Sequence, residues 1–237
     1  MASFTFNGTR NEKIKMTEGR QKGPFAPITR NFVRYGKAYR LKSSQRELLE
    51  IIQPIAFKAS TEEEAMLIQN ELSSWLVTKD ISPLILDDEP GRTYWCVVDG
   101  TIENFKRKER SIIWEGSIRF LSKYTSGRVL SLPIGTTFAN HTILSKVETP
   151  WKSRTVFSGA ISSFTIENDQ SGKVICQYGF ISNDVLEIDY KKRKVTLNGE
   201  AQPSILLMQS NWFDLKPGVN RLKASQPSTV TYDELFY

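Results

Sequence analysis

The sequence predicts a mainly β protein of two domains, the first with one α-helix and a β-hairpin among its strands and the second an all-β sandwich. Three observations indicate this fold class. Apolar and polar residues alternate over many short segments, one segment repeats its apolar residues at the helical spacing, and turn-forming residues separate the segments of the second half. With 237 residues, the chain has room for two domains of roughly 100–130 residues, each with its own core.

The composition is typical of a globular protein. Hydrophobic residues make up 39% of the chain and charged residues 24%, a balance that favours a soluble domain over a disordered segment. No apolar run reaches the 18 residues or so that cross a membrane. The N-terminus, MASFTFNGTRNEKIK, has no apolar stretch after a basic start, so we expect no signal peptide.

The positive charge of the chain is spread along the sequence. Lys and Arg number 32 against 26 Asp and Glu, a formal net charge of +6, but only KRKER (106–110) and KKRK (191–194) are dense. A nucleic-acid binder usually concentrates positive charge on one face and interleaves aromatic residues for stacking. We therefore predict that both basic runs are solvated loops, and that the protein has no sequence-specific nucleic-acid site.

One helix is predicted over residues 61–76. Ser60 to Glu63 form a capping box, in which the Ser60 hydroxyl accepts from the Glu63 amide and the Glu63 carboxylate reaches back. Glutamates in the first turn complement the positive end of the helix dipole. A single apolar stripe follows at helical spacing: Ala65, Ile68, Leu72, Trp75 and Leu76.

Segments in which apolar residues recur at every second position surround this helix. TYWCVVDGTIENF (93–105) predicts two strands about an Asp99-Gly100 pair, which is the signature of a type I′ hairpin. SIIWEGSIRFL (111–121) predicts a strand that places five residues on one face: Ile112, Trp114, Gly116, Ile118 and Phe120.

The segment SSQRELLEIIQP (43–54) is ambiguous, because it fits either a short capped helix or a strand. We predict a strand, since Leu49, Ile51, Ile55 and Phe57 alternate across Pro54.

The composition of the sequence changes after Gly127. VLSLPIGTTFANHT (129–142) is rich in small and turn-forming residues and in threonine, and we interpret it as a connector. The predicted domains are therefore residues 1–132 and 133–237.

The second half shows no helical period, and short strands at close spacing indicate an all-β sandwich. The predicted strands are SSFTIEN, GKVICQYGF, DVLEIDY, KVTLNG, SILLMQ, NRLKAS and STVTYDELFY. The turn signals between them are Asn168 to Gly172, Asn183-Asp184, Asn198-Gly199 and Pro217-Gly218.

The basic run 191–194 falls between two of these strands. Leu186, Ile188 and Tyr190 point to one side before it, and Val195 and Leu197 continue the alternation after it. Water solvates four adjacent charges at a turn at little cost, so we predict that KKRK is the tip of a hairpin.

The same residues carry a resemblance. DVLEIDYKKRKVTLNG followed by SNWFDLKPGVNRLKAS resembles the C-terminal half of the distal tail proteins of long-tailed (siphovirus-type) bacteriophages and prophages. Members of that family pair an L-x-I-D…V-x-x-N-G hairpin with a later S-x-F-x-L-x-P-G-x-N turn. The matching positions are Leu186, Ile188, Asp189, Val195, Asn198 and Gly199, then Ser210 or Asn211, Phe213, Leu215, Pro217, Gly218 and Asn220.

The first half resembles the family more loosely. PGRTYWCVVDGTIEN and SIIWEGSIRFLSKY are similar to its hairpin and following strand, so the resemblance covers roughly residues 45–237.

The resemblance implies an architecture and a role. Residues 1–132 would form an N-terminal β-sandwich that carries one α-helix and a β-hairpin and closes into a ring of six at the distal end of the tail tube. Residues 133–237 would form an outward galectin-like or carbohydrate-module-like β-sandwich. The ring would join the tail tube protein to the tail-tip and adhesion proteins, as a structural baseplate component of the virion tail that is assembled in the host cytoplasm. It would leave a lumen for DNA and would involve no membrane.

The sequence offers little for catalysis. The one histidine, His141, lies in ANHTI, where we expect a surface or turn residue, and no second histidine is available for a metal pair. Cys96 and Cys176 sit in apolar, strand-like runs, which indicates buried thiols in a reducing compartment rather than a disulfide or a metal site. No G-x-S-x-G, P-loop or G-x-G-x-x-G motif is present.

One tight acidic cluster, Asp87-Asp88-Glu89, precedes Pro90-Gly91. A carboxylate pair for glycoside hydrolysis requires only a suitable distance between two acids, which a sequence does not show. A polar turn is the interpretation we adopt. We predict no catalytic residue, no cofactor and no metal site, and hence a protein that is not an enzyme.

A carbohydrate-binding module of a phage or cell-surface protein is the alternative. Such sandwiches stack sugar rings on exposed aromatic residues, and Trp151, Trp212 and Tyr178 are the candidates for glycan contact. Aromatic residues in strands are more often part of the core, because each buries a large apolar area.

Overall fold

The computed structural model describes residues 2–109, 111–170 and 172–236. It divides into two compact units, and the division falls between Ser126 and Gly127. The predicted boundary at 132/133 lies further along the chain, within the same strand as the division. Each unit has a separate hydrophobic core.

The first unit consists of strands around one helix. Its elements are β1 (Phe4–Phe6), β2 (Thr9–Arg10), β3 (Lys15–Met16), β4 (Gln21–Lys22), β5 (Ile28–Tyr35), β6 (Ala38–Arg46), β7 (Leu49–Lys58), α1 (Glu62–Leu76), β8 (Ser82–Leu86), β9 (Thr93–Val98), β10 (Glu103–Arg107) and β11 (Ile113–Ile134), the last of which continues into the second unit. In the part of the chain that the structure describes, α1 is the only α-helix.

The long strand β11 organises this unit. It pairs antiparallel with β7 on one edge, with Phe120 opposite Ile51, and with β9 on the other, with Phe120 opposite Val98. Every second residue of β7 is buried, which confirms the strand that we predicted across Pro54. On β11 the predicted face is also confirmed from Trp114 to Phe120, whereas Ile112 precedes the strand and is exposed.

Helix α1 covers the core of the first unit with the predicted stripe. Ala65, Ile68, Leu72 and Leu76 are buried. The capping box is one residue later than predicted: the Thr61 hydroxyl accepts from the Glu64 amide, and the Glu64 carboxylate accepts from the Ser60 amide.

The predicted hairpin at Asp99-Gly100 is wrong. Strands β9 and β10 both run antiparallel to β11 and follow one another along the same edge, since Val98 lies opposite Phe120 and Glu103 opposite Ser117. The chain bulges at Gly100, whose φ is +73°, and continues in the same direction. A bulge and a type I′ turn both use a positive φ, so the Asp-Gly pair alone does not distinguish them.

The chain reverses instead between β10 and β11, where the amide of Lys108 donates to the carbonyl of Ile113. The basic run 106–110 begins in the last residues of β10, just before this reversal. Lys106 and Arg107 belong to β10 rather than to a loop, and Arg110 lies outside the described residues.

The second unit is an all-β sandwich, as predicted. Its strands are β12 (Ala139–Ile143), β13 (Trp151–Val156), β14 (Ile161–Asn168), β15 (Gly172–Phe180), β16 (Val185–Asp189), β17 (Lys194–Leu197), β18 (Glu200–Ala201), β19 (Gly218–Ala224) and β20 (Ser228–Phe236), with a short 3₁₀ helix at Pro203–Ile205. One sheet has the order β18-β17-β16-β13-β20, and the other has the order β12-β19-β14-β15. Their buried residues form one core.

Two segments of this half differ from the prediction. Residues 129–142 are not a connector, because 129–134 belong to β11 and Ala139–Ile143 form β12. The predicted strand SILLMQ begins as the 3₁₀ helix, and only Leu206 forms an isolated bridge, to Cys176. Pro203 has no amide hydrogen to donate to a sheet and is well suited to a helix start.

Two turns are confirmed. Asn198 and Gly199 both have positive φ, 52° and 88°, and they join Leu197 to Glu200 as a two-residue type I′ turn requires. The run 191–194 is exposed between Asp189 and its partner Lys194, so it is a hairpin tip.

Candidate functional site

The acidic cluster is an ion-paired turn. The guanidinium of Arg10 binds both carboxylate oxygens of Asp87, at 2.8 and 2.9 Å, and the amide of Ser3 donates to the same carboxylate. The hydrogen bond from Arg10 lowers the pKa of Asp87, with a further contribution from Ser3. This carboxylate is therefore an acceptor that holds the first strands against the turn.

Glu89 is the most enclosed of the three acids. Lys22 lies 2.5 Å from its carboxylate and Arg20 lies 2.8 Å from it, while the Tyr94 hydroxyl also donates to it. Burial alone raises the pKa of Glu89, but the hydrogen bonds from Lys22 and Tyr94 and the nearby positive charges outweigh it, so the pKa is lowered. Arg20 also binds Asp88 at 2.8 Å. A fully paired cluster of this kind positions backbone segments and offers no free acid for catalysis.

The thiols and the histidine are separate from one another in the fold. Cys96 and Cys176 are buried, as predicted, and burial raises the pKa of each to about 12. His141 lies within β12 rather than in a turn, and burial lowers its pKa below the ordinary value. Among the described residues, no group of three or more His, Cys, Asp or Glu is placed to hold a metal ion.

The candidate glycan residues occupy different environments. The ring of Trp151 is in the core, and its Nε1 donates to the carbonyl of Phe213 at 2.7 Å. Trp212 is partly buried, and its ring packs edge-on against Tyr190. Tyr178 is exposed but lies on β15, in the other sheet. Of the two candidate tryptophans, Trp212 is therefore the one that is partly exposed.

One residue of the basic tip covers that ring. The guanidinium of Arg193 lies 4.9 Å from the ring centre of Trp212 and 4.4 Å from that of Tyr190. Arg193 is therefore packed on aromatic rings, whereas a solvated charge would have no such contact. The Tyr190 hydroxyl also donates to Asp214 at 3.3 Å.

Several exposed apolar side chains lie on a two-stranded ribbon, which we define as residues 28–46. It consists of β5 and β6, which pair with each other and with no other strand of the described chain. Every residue of the ribbon is exposed except Val33, which is partly buried. Its exposed large apolar side chains are Ile28, Phe32, Tyr35, Tyr39 and Leu41.

The two faces of the ribbon differ. Phe32 lies opposite Leu41, and two residues further along Arg34 lies opposite Tyr39, so these four share one face. Tyr35, Ala38 and Arg40 belong to the other face. The ribbon contains six basic residues and no acid: Arg30, Arg34, Lys37, Arg40, Lys42 and Arg46.

A groove runs beside helix α1, and we define it as the α1 groove. Its volume is about 360 Å³, and it lies between the second half of the helix and the bulged segment that joins β9 to β10. Met66 and Val77 are exposed on the helix, at 63% and 75%. The lining includes Ser73, Val77, Val98, Thr101, Ile102 and Phe105.

The helix beside this groove is acidic. It carries Glu62, Glu63, Glu64 and Glu71 and no basic residue, and its last turn has no basic residue to complement the negative end of the dipole. Glu71 is paired with Lys13 at 2.8 Å, and Glu62 lies 3.8 Å from Arg107. For the three glutamates of the first turn, the sequence predicted only that they complement the helix dipole.

Comparison of the chain with known families identifies the class of protein to which it belongs. Residues 144–236 match the siphovirus-type tail component, C-terminal domain, and residues 33–122 match the phage tail protein RIFT-related domain. The distal tail protein of Bacillus phage SPP1 is 31% identical over 181 residues, which are 70% of this chain and 68% of that protein. The class is that of siphophage tail components.

Solved structures agree on the fold. The crystal structure of the SPP1 Dit protein, described as a paradigm of the hub adsorption apparatus in phages that infect Gram-positive bacteria, superposes over 100% of both chains with a TM-score of 0.88 at 18% identity. A chain of the phage P2 baseplate in its activated conformation with Ca superposes over 99% of this chain and 98% of that one, with a TM-score of 0.58 at 7% identity.

The chain belongs to the distal tail protein family of siphophages. Members of this family that match it are structural components of the phage tail, and the expected resemblance is confirmed. Among the described residues, α1 is neither long nor apolar enough to cross a membrane.

Proposed function

We propose that the protein forms a hexameric ring at the distal end of the tail tube and joins the tube to the adsorption apparatus. Its partners are then five further copies of itself, the tail tube protein and the proteins of the tail tip. Membership of the distal tail protein family and the similarity to the SPP1 Dit fold support this role.

The single observation that carries the proposal is the ribbon. Phe32, Tyr35 and Tyr39 are 57%, 65% and 71% exposed on a basic two-stranded element that no described strand covers. Exposed aromatic side chains grouped on one element, with Phe32 and Tyr39 on the same face, favour an interaction site. A two-stranded ribbon is also at best marginally stable without a covering partner.

The arrangement favours a ring over a two-fold dimer. A like-to-like contact would bring basic residues of one ribbon close to those of another, which is electrostatically unfavourable at short distance. A contact between the ribbon of one copy and a different surface of the next copy is heterologous, and such contacts close into a ring when the rotation between copies allows it.

We assign the ring contacts to the first unit and contacts with other tail proteins to the second. The second unit has no counterpart of the ribbon among its described residues, since its strands are paired within two sheets. The surface of Trp212 is partly covered by Arg193, which favours contact with protein over stacking on sugar rings.

Negative-stain electron microscopy of the purified full-length protein, together with light scattering, tests the proposal. We expect a six-fold annulus with a central hole and a mass six times that of the 27.1 kDa chain. A monomer at every concentration, or an open filament, would contradict it.

A further inference from the structure

The outer face of one sheet of the second unit forms a cleft of about 640 Å³. Its lining comes from β13, β16, β17 and β20, together with Lys192 of the basic tip, and we define it as the polar cleft. Resting on the proposed contacts of the second unit with other tail proteins, we infer that the polar cleft binds an acidic, extended segment of another tail protein.

The strand register places the side chains of the cleft in two rows. In the first row, Lys152 lies opposite Asp189 on one side and Thr231 on the other. Lys194 lies on the far side of Asp189. These side chains point away from the core, because they alternate with buried residues of the same strands. From β17 to β20 the first row therefore consists of a base, an acid, a base and a hydroxyl.

The second row lies two residues further along each strand. Arg154 lies opposite Glu187 and Thr229, and Thr196 lies on the far side of Glu187. Along β13, Lys152 and Arg154 are separated by about 6.8 Å, since a strand rises about 3.4 Å per residue. Alternate side chains of an extended peptide have the same spacing, so a peptide with an acid at every second position matches these two bases.

The lining has an excess of positive charge. Its acids are Glu187 and Asp189 and its bases are Lys152, Arg154, Lys192 and Lys194, which give a net charge of +2. Asp189 lies 3.1 Å from Lys152, and Glu187 lies 3.7 Å from Arg154. Within the described part of the chain, the ammonium groups of Lys192 and Lys194 have no carboxylate within 4 Å. A ligand with carboxylates is therefore complementary to the cleft.

The two acids of the lining favour a peptide over a polymer that is charged at every unit. Glu187 and Asp189 form a central column that repels an anion placed over it but accepts hydrogen bonds from amide and hydroxyl donors. An extended peptide supplies both kinds of group, with carboxylates over the bases and donors between them. A uniformly charged polyanion supplies only the first kind.

The composition of the lining disfavours sugars and nucleic-acid bases. None of the described residues that line the cleft is aromatic, so rings have no platform on which to stack. The remaining polar groups of the two rows are the hydroxyls of Thr196, Thr229 and Thr231, which both donate and accept hydrogen bonds.

The expected binding is weak for a single cleft. The bases lie at the surface, where each ion pair contributes little and is screened by salt. The proposed ring would present six clefts to one assembly of partners, and such multivalent contact raises the overall affinity without any new type of contact.

Two fluorescent peptides and the full-length protein test the inference. In the acidic probe Glu and Ser alternate, and in the control probe Gln replaces each Glu. By fluorescence anisotropy we expect the acidic probe to bind at least about fivefold more tightly than the control probe at about 50 mM salt. We expect most of this difference to be lost at about 300 mM salt.

A pair of double variants assigns the binding to the cleft. Lys152→Gln with Arg154→Gln removes two of its bases. Lys173→Gln with Lys223→Gln is the matched control, because it removes the same charge from the other sheet, where both lysines pair with Glu167. We expect the cleft variant to bind the acidic probe about fivefold more weakly, and the control variant to remain within about twofold of the unmodified protein. Any binding by the basic ribbon is common to both variants.

A second measurement locates the probe directly. A carbodiimide joins a carboxylate to a lysine amine when the two are in contact, and mass spectrometry identifies the lysines that carry the peptide. We expect Lys152, Lys192 and Lys194 to be coupled more than Lys173 and Lys223. Coupling that is confined to lysines outside the cleft would overturn the inference.

The other outcomes are equally decisive. Equal affinity for the two probes, or an affinity that the cleft variant does not change, would show that the cleft does not bind an acidic segment. Tighter binding of inorganic polyphosphate than of the acidic probe, lost in the cleft variant, would replace the peptide by a phosphate ligand.

The ring is tested separately by microscopy. A six-fold annulus that does not bind the acidic probe would leave the ring standing and remove only the acidic partner. Binding of the probe in the cleft of a protein that forms no ring would leave the cleft as inferred and contradict the ring.

Discussion

The indole Nε1 of Trp151 donates a 2.7 Å hydrogen bond to the carbonyl oxygen of Phe213, and the two rings lie 5.1 Å apart. The bond connects β13 to the segment before β19, two parts of the second unit that are 62 residues apart in sequence. Both side chains are buried, so water cannot replace either group of the bond.

Trp151→Phe leaves the Phe213 carbonyl without its donor and opens a small cavity. We expect the free energy of unfolding of the second unit to fall by about 2–3 kcal/mol, from the unsatisfied acceptor and the lost contacts together. Urea unfolding followed by circular dichroism measures this free energy of unfolding. Trp212→Phe serves as the control, because Trp212 is only partly buried, and we expect a smaller loss.

The residues of the basic tip are not equivalent. Lys192→Ser changes an exposed side chain and is expected to alter stability by no more than about 0.5 kcal/mol. Arg193→Ser also removes the contacts with Tyr190 and Trp212, and we expect a loss of about 1 kcal/mol. Thermal unfolding measures the stability of both variants. Equal stability of both would show that the stacking of Arg193 contributes nothing.

Gly218 is required for its backbone conformation. Its φ is +88°, and a Cβ there would meet no atom within 4 Å, so the strain in Gly218→Val is conformational. We expect a loss of about 1–2 kcal/mol, because a β-branched residue resists positive φ. Gly179→Val is the matched control: it has the same open surroundings without a positive φ. Unchanged melting of the Gly218→Val protein would contradict the turn.

The pairing of Glu89 makes the first unit sensitive to acid. The folded state lowers the pKa of this carboxyl below its ordinary value of 4.5. Its contribution to stability is therefore present above about pH 4.5 and is lost as the pH falls through the lowered folded value. We expect Glu89→Gln to destabilise the unit by about 2 kcal/mol at pH 7 and to flatten its stability between pH 5 and 3.

Asp88→Asn provides the comparison for this prediction. Asp88 binds only the Arg20 guanidinium and is 49% exposed, whereas Glu89 is 20% exposed. Asp88→Asn is expected to change stability by less than about 1 kcal/mol. A Glu89→Gln protein with an unaltered acid profile would show that another carboxylate controls the transition.

The role of each unit can be examined with fragments. We expect residues 1–126 to fold and to form a closed oligomer, because the ribbon lies there. Residues 127–237 are expected to be a monomeric β-sandwich that does not hydrolyse glycans. Light scattering compares the two. A monomeric first fragment beside an oligomeric second one would reverse the assignment of roles.

The elements that the sequence predicted well have a strong periodic pattern. The stripe from Ala65 to Leu76 and the alternation from Trp114 to Phe120 both reflect burial of one face against a core. Because such burial requires apolar residues at a regular spacing, the pattern is visible in the sequence. The hairpin tip at 191–194 was predicted from the same kind of alternation in the residues on either side of it.

The errors occur where a local pattern has two structural solutions. Asp99-Gly100 supplies a positive φ, which suits a bulge as well as a turn. Here Ile102 packs against Gly116, where a Cβ would lie only 2.6 Å from the Ile102 side chain, and this contact keeps the chain running along β11. That contact is between residues 14 positions apart, so local sequence did not reveal it.

The exposed ribbon was missed for a related reason. The sequence 28–46 contains two runs of strand-forming residues about Gly36-Lys37 and no acid, which could have indicated a basic hairpin. That no other strand covers it is a property of the tertiary structure. The first-turn acids of α1 likewise predicted a complement to the helix dipole, whereas the ion pair of Glu62 with Arg107 depends on the tertiary structure.

The isolation of the ribbon has a consequence for how assembly proceeds. Two strands without a covering layer are only marginally stable in water, so a contact between the ribbon and a neighbouring copy in the proposed ring would stabilise β5 and β6. In the proposed ring, a partial assembly leaves one ribbon without a neighbour, whereas the complete ring leaves none. Closure therefore adds a contact without the entropy loss of bringing in another subunit, and intermediates of two to five copies are expected to be scarce beside free subunits and finished rings.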